Sequence, residues 1–210
     1  RGFELIFGLP SGTIPLGGCV TFDDAGRPGL FTGSLPEDNL SWRGVLQWEP
    51  GNGKLLYASV SRGYKSGSFA TLAGNRFSQY IPVRQEQVTA YEIGFKAALL
   101  DRAVQLNGAL FYYDYLDKQL KGRTIVPVFG PLEALVNVPK SRIKGAELQL
   151  VARPVDGLTA NIGATYIDSK VTGSFSNYTA FGAVTDFNGF RFPYTPKWQV
   201  NADLEYRWDV

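Results

Sequence analysis

Residues 198–208 read WQVNADLEYRW. Side chains alternate across a β-strand with period two. Trp198, Val200, Ala202, Leu204, Tyr206 and Trp208 therefore share one face, and Gln199, Asn201, Asp203, Glu205 and Arg207 share the other. One face is apolar with aromatic residues at both ends, and the other is wholly polar. Ten residues at about 3.3 Å each, tilted by about 40°, cover roughly 25 Å of height, which is the lipid-facing band between two aromatic girdles. An ordinary half-buried strand also alternates, but it has less reason to place Trp at both ends of its apolar face. This stretch predicts a strand of a transmembrane β-barrel.

Working back along the chain, the same alternation recurs over residues 42–49, 54–64, 87–98, 103–115, 143–152 and 158–170. Leu46, Val60, Ile93, Leu106, Leu148, Ile162 and Leu204 are expected on one surface. Gln47, Glu92, Asn107, Glu147, Asn161 and Asp203 are expected on the other. Short turns are predicted at 50–53, 99–102 and 154–157, where Gly, Asn, Asp and Pro supply the backbone angles. Long polar loops are predicted over about 66–86, 117–141 and 172–194. The short and long connections alternate without a break, as in outer-membrane barrels. The expected fold is all-β: an antiparallel meander of about seven strands over residues 41–210, part of a large up-and-down transmembrane barrel. Residues 1–40, rich in Gly and Pro, are read as an irregular region with a strand remnant at 3–7.

The aromatic positions test this frame. With the short turns on the periplasmic side, Trp42, Tyr91, Tyr112, Tyr166 and Trp198 fall toward the extracellular rim. Trp48, Tyr206 and Trp208 fall toward the periplasmic rim. All eight lie on the outward face, as membrane-interface aromatics do. Trp42 to Trp48 covers only about 15 Å of height by the same arithmetic, so the first strand is expected to run beyond 42–49.

Composition narrows the classes. No run of 18 apolar residues exists, which excludes a transmembrane helix. The net charge of +2 gives no footprint for nucleic acid. The single cysteine, Cys19, excludes an internal disulfide and is read as an inert small residue. The absence of His removes the commonest general base and metal ligand. No catalytic constellation, metal site or cofactor motif is visible, so the chain is not expected to be an enzyme. Asp23 and Asp24 are read as a solvated turn rather than a metal site. The matches to the glycosylation pattern at Asn39 and Asn177 carry no meaning in a bacterial outer membrane. With no Met and no signal peptide, the chain is expected to be an internal segment of a longer precursor.

Two groups of side chains could carry function. Arg43, Glu92, Lys96, Glu147, Asp203, Glu205 and Arg207 face the lumen, where they either contact something held inside it or pair across strands to satisfy a wet wall. Tyr64, Lys65, Phe77, Tyr80 and Arg84 sit in or beside the first long loop. Phe175, Tyr178, Phe181, Phe187, Phe190 and Arg191 sit in the third. Aromatic and Arg side chains there suit a planar anionic ligand by stacking and charge, or serve loop packing alone. Tyr64, Lys65, Tyr80, Arg84, Tyr178, Phe187 and Arg191 are the ligand-binding candidates.

Four segments together resemble the barrel of TonB-dependent outer-membrane receptors: LLYASVSRGYKSGSF (55–69), VTAYEIGFKAALLDRAVQLNGALFYYDYLDKQ (88–119), SRIKGAELQL (141–150) and FPYTPKWQVNADLEY (192–206). The resemblance covers about residues 40–210 and rests on their order and spacing. It implies a 22-stranded barrel around a plug domain, with the plug and the TonB-contacting segment supplied by other parts of the parent chain. It further implies active uptake, across the outer membrane of a Gram-negative bacterium, of a scarce ligand such as a ferric siderophore. The implied partners are outer-membrane lipid, the plug, the TonB energy-transducing complex and a small ligand. A passive porin-type channel and a soluble all-β binding module are the alternative readings.

Overall fold

Seven strands hydrogen-bond to one another in chain order, each antiparallel to the next. They are seen in a computed structural model that describes residues 2–6, 8–69, 76–126 and 130–208. The strands of the sheet are β1 (Trp42–Gly51), β2 (Lys54–Lys65), β3 (Glu86–Leu99), β4 (Val104–Val126), β5 (Gly130–Ala152), β6 (Leu158–Val171) and β9 (Trp198–Tyr206). A two-stranded hairpin of β7 (Ser176–Tyr178) and β8 (Val184–Asp186) stands apart from the sheet. β1 reaches Gly51, past the stretch that alternation marks.

The register fixes the faces. Leu46 pairs with Ala58, Ala58 with Ile93, Ile93 with Leu110, Leu110 with Ala146, Ala146 with Tyr166 and Tyr166 with Trp198. Paired residues in an antiparallel ladder share a face. All the residues expected on the apolar surface therefore lie together, and Glu92, Asn107, Glu147, Asn161 and Asp203 lie behind them. Among the described residues nothing covers the apolar face: Leu46 is 75% exposed and Leu204 72%.

The three tight turns fall between β1 and β2, β3 and β4, and β5 and β6, as expected. Asn52 and Gly53 take positive φ, as do Leu100, Asp101 and Arg102 in succession. At Gly157 (φ 78°) a Cβ would also run into the Arg207 carbonyl.

Three expectations are corrected. Residues 2–6 form a single helical turn, not a strand remnant at 3–7. No neighbouring strand pairs with this segment, and the Glu4 carboxylate instead accepts the N–H groups of Gly12 and Ile14 at 2.9 Å each. The predicted loop over 117–141 is largely the upper half of a tall hairpin, with Val126 paired to Gly130. The predicted loop over 172–194 contains β7 and β8.

The tall hairpin carries one irregularity. Asp117, at φ 51°, faces Pro139, which has no N–H to give the ladder. Above this point the alternation inverts. Lys118 stands 3.9 Å from the ring centre of Tyr115 and 3.3 Å from the Glu86 carboxylate, on the inner face. Val138 and Ile143, of opposite parity, pack in one cluster with Val171 and Phe192. The largest buried cluster of the described residues thus sits above the meander, inside the rim of the long connections.

Candidate functional site

The inverted alternation builds the site. Because Leu120, Val136 and Val138 turn inward, they form an apolar wall, and the chain after β6 folds down onto it. Asn177 fixes that fold-back: its side-chain oxygen accepts the Arg123 N–H at 2.9 Å and its amide donates to the Arg123 carbonyl at 3.2 Å. One side chain thereby imitates a ladder rung between β7 and β4. Behind it Phe187 meets Phe175 at 6.1 Å and Phe190 at 5.4 Å between ring centres. Phe192 is buried and takes a hydrogen bond from its own N–H to Ser169 Oγ at 3.1 Å.

The result is a cavity of about 310 Å³. Tyr178, Phe187 and Arg191 line it, together with Arg123, Phe175 and Phe192. Three of the seven ligand candidates are therefore brought together. Arg191 reaches the Ile167 carbonyl at 3.4 Å, a weak contact that leaves its donors available. Arg123 was not singled out from sequence. It borders the cavity through the backbone groups that Asn177 holds, which no side-chain pattern signals.

The other four candidates lie elsewhere. Tyr64 and Lys65 belong to β2, paired with Gln87 and Glu86. Tyr80 stacks on Phe31 at 4.9 Å, and Phe31 also meets Phe69 and Phe77 edge to face. Arg84 forms an ion pair with Asp117 at 2.6 Å, and its backbone is clamped by Asn137 through bonds of 2.7 and 2.9 Å. Ring stacking thus engages Tyr80 and an ion pair engages Arg84, while Tyr64 and Lys65 stand at the upper end of β2.

The lumen-side face carries Tyr57 bonded to Glu92 (2.8 Å), Asn107 to Gln149 (3.3 Å) and Asn161 to Asp203 (3.1 Å). Cross-strand pairing therefore accounts for part of the wet wall. Asp23 accepts the N–H groups of Ala25 and Arg27 and the Arg27 side chain. Those backbone donors, Arg27 first, hold its carboxyl below the usual value, so it is a turn-forming residue. Among the described residues no group of His, Cys, Asp and Glu is arranged to hold a metal ion.

The outward aromatics follow the register in a regular way. Tyr91 and Tyr112 pair directly, with ring centres 6.4 Å apart, and Tyr166 and Trp198 pair at 4.8 Å. Followed across the ladder, Trp198 comes level with Leu46, four residues nearer the turn than Trp42. A level line across strands tilted by about 40° and spaced about 4.8 Å shifts by roughly one residue per strand. The drift of four residues over six strand steps is of that order. Tyr206 and Trp208 stack at 6.1 Å at the opposite end.

Residues 20–210 match the family described as TonB dependent receptor-like, beta-barrel. The chain belongs to this family. Its match begins some twenty residues before the stretch, about 40–210, over which the resemblance runs in sequence. The probable TonB-dependent siderophore receptor PiuA of Acinetobacter baumannii is 25% identical over 189 residues, which is 84% of this chain and 24% of that protein. Among solved structures, the ferric yersiniabactin uptake receptor FyuA from Yersinia pestis has a TM-score of 0.64 at 21% identity. That similarity covers 88% of this chain and 26% of the other. The structure of PiuA has a TM-score of 0.58 at 22% identity, covering 79% and 23%. These structural likenesses carry the fold. The chain spans about a quarter of the length of the relatives it matches. The family places this receptor barrel in the outer membrane of Gram-negative bacteria, which sets aside the soluble reading and accounts for the uncovered apolar face.

Proposed function

We propose that this chain is the wall segment of an active importer, and that the rim carrying its long connections faces outward and takes an anionic, aromatic iron chelate. The observation that carries this reading is the cavity of about 310 Å³ between β4, β5 and the β7–β8 hairpin, where Arg191 meets Tyr178 and the rings of Phe175, Phe187, Phe190 and Phe192. Aromatic rings hold a planar ligand by stacking, and the guanidinium contributes charge and forked hydrogen bonds. PiuA, a probable siderophore receptor, lends the chelate class its plausibility. The eight outward aromatics serve as the two membrane girdles. The polar inner face serves as the seat of a plug supplied by the parent chain, and a TonB complex supplies the energy. No step of chemistry is assigned to any residue.

The test is ligand binding by the full-length gene product, followed through quenching of intrinsic fluorescence by ferric catecholate and ferric hydroxamate chelates. Arg191→Ala is expected to weaken capture of the preferred chelate by about tenfold, the loss of one charge-assisted contact of roughly 1.5 kcal/mol. Equal affinity in the wild type and in the Arg191→Ala variant removes the cavity from the binding path. A parent chain without a plug, with diffusive uptake independent of the proton gradient, favours the porin-type channel.

A further inference from the structure

Above the row of Tyr91 and Tyr112, the outward face turns basic. Lys144 pairs with Tyr112 at that row, and Arg142 follows one step higher, between Asp114 on β4 and Lys170 on β6. Lys140 lies one step above Arg142. By alternation all these residues stand on the face that carries Ala146 and Leu148 below. Lys144 has a carboxylate near it, Asp168 at 3.8 Å. Arg142, Lys170 and Lys140 form no ion pair among the described residues, and Arg142 Nε is buried without a hydrogen-bond partner. Arg142 directly opposite Lys170 is a like-charge cross-strand pair, which destabilises a sheet. Four cations stand against Asp114 and Asp168, so the patch lacks negative charge.

Directly beneath, on the same strands, lies an open apolar groove of about 960 Å³. Small residues Gly108, Ala146 and Ala164 line it between the larger Ile93, Leu148 and Trp198. A cationic patch at headgroup height above a groove in the hydrocarbon layer has one complementary occupant: an anionic headgroup with acyl chains.

We propose that Arg142, Lys170 and Lys144 bind the phosphate of an outer-leaflet lipid whose acyl chain lies in the groove over Gly108, Ala146 and Ala164. The site is on the outside of the wall, separate from the chelate cavity inside the rim. It rests on the outer-membrane placement and on the long connections facing outward. Charge attraction at the membrane surface and burial of CH₂ groups act on one molecule, so neither source alone suffices.

The full-length receptor is exchanged into detergent and offered diphosphoryl lipid A, its dephosphorylated form or inorganic phosphate, with bound lipid counted by native mass spectrometry. Wild type is expected to retain one diphosphoryl lipid, to hold the dephosphorylated form far more weakly, and to be unaffected by equimolar inorganic phosphate. Removing two charges in Arg142→Gln/Lys170→Gln is expected to weaken retention about 30-fold, at roughly fivefold per charge. Ala164→Leu, which fills the groove and leaves the charges, is expected to weaken it as well. If the double variant does not fold, Lys170→Ala alone should show about fivefold. Unchanged retention in the charge variants, full displacement by inorganic phosphate, or no lipid on the wild type overturns the proposal, and unchanged retention in Ala164→Leu overturns the acyl groove. Chelate binding measured on the same samples separates the two readings, since the lipid variants should bind chelate as wild type does.

Discussion

Phe111 lies over Gly145, its direct cross-strand partner, so closely that a Cβ on the glycine would collide with the ring. Two further pairs repeat the arrangement: Tyr57 covers Gly94 and Phe95 covers Gly108. In each pair an aromatic ring hides backbone that glycine leaves bare, which pins the register of neighbouring strands. Gly145→Ala is expected to destabilise the barrel by about 1–3 kcal/mol through overpacking. Phe111→Ala is expected to cost about 3–5 kcal/mol. The double variant should cost less than the sum, because the ring's share of the clash is gone, although the Tyr166 carbonyl still crowds the added methyl. Urea titration of the full-length protein in micelles checks this, and strict additivity argues against the contact.

Depth along β9 gives a graded test of the lipid-facing side. Between the Trp198 and Trp208 ends, Leu204 lies near mid-height and Val200 lies one outward step from the Trp198 girdle. Leu204→Arg is expected to cost about 2–4 kcal/mol and Val200→Arg less, while Asn201→Arg, on the inner face, should cost less than either. Refolding equilibria in lipid vesicles provide the measurement. Equal costs at Val200 and Asn201 contradict the facing assignment.

Asn137 holds three backbone groups at once: the N–H and carbonyl of Arg84 and the carbonyl of Asp117. Asn137→Ala is expected to cost about 1–3 kcal/mol, two to three modest hydrogen bonds. It should also raise amide exchange at Arg84 while leaving Glu92 and Ile93 protected. Exchange that rises evenly along β3 indicates global loosening instead.

Asp186 sets the acid limit of the β7–β8 hairpin. The N–H groups of Asn188 and then Phe175 hold its carboxyl below the ordinary value of 3.8. A lowered carboxyl stabilises the fold above the unfolded-state value and loses that contribution as pH falls toward the folded value. Hairpin order is therefore expected to hold from pH 7 to 5 and to fade from about 3.8 downward. Asp186→Asn should lack this transition. Amide exchange of Phe187 followed against pH decides, and an opening already complete at pH 5 refutes the assignment.

The meander was legible in sequence because each strand faces lipid on one side and water on the other, which writes the alternation in full contrast. The tight turns were legible through Gly157, Asn52 and their neighbours. The upper hairpin was not, because Gly122, Pro131 and Pro139 punctuate it like a loop and Asp117 breaks the parity. Both its faces meet water or packed protein, so the contrast fades. The cavity was legible only in part. Tyr178, Phe187 and Arg191 belong to one loop, whereas Arg123 joins them through the Asn177 side chain, a contact between distant residues that no local pattern encodes.

The switch of parity at Asp117 and Pro139 amounts to a waterline drawn in the backbone. Below it the outside of the wall is basic as far down as Lys144 and greasy beneath that row. Above it Lys121 and Glu133, paired at 3.9 Å, replace the grease, and Leu120 and Val138 retreat inside. The upper part of the hairpin is thus released from bilayer thickness. It can lengthen or shorten by whole residue pairs without moving an apolar side chain into lipid or out of it. The wall below must keep its span, whereas the crown above is free to be reshaped around whatever it captures.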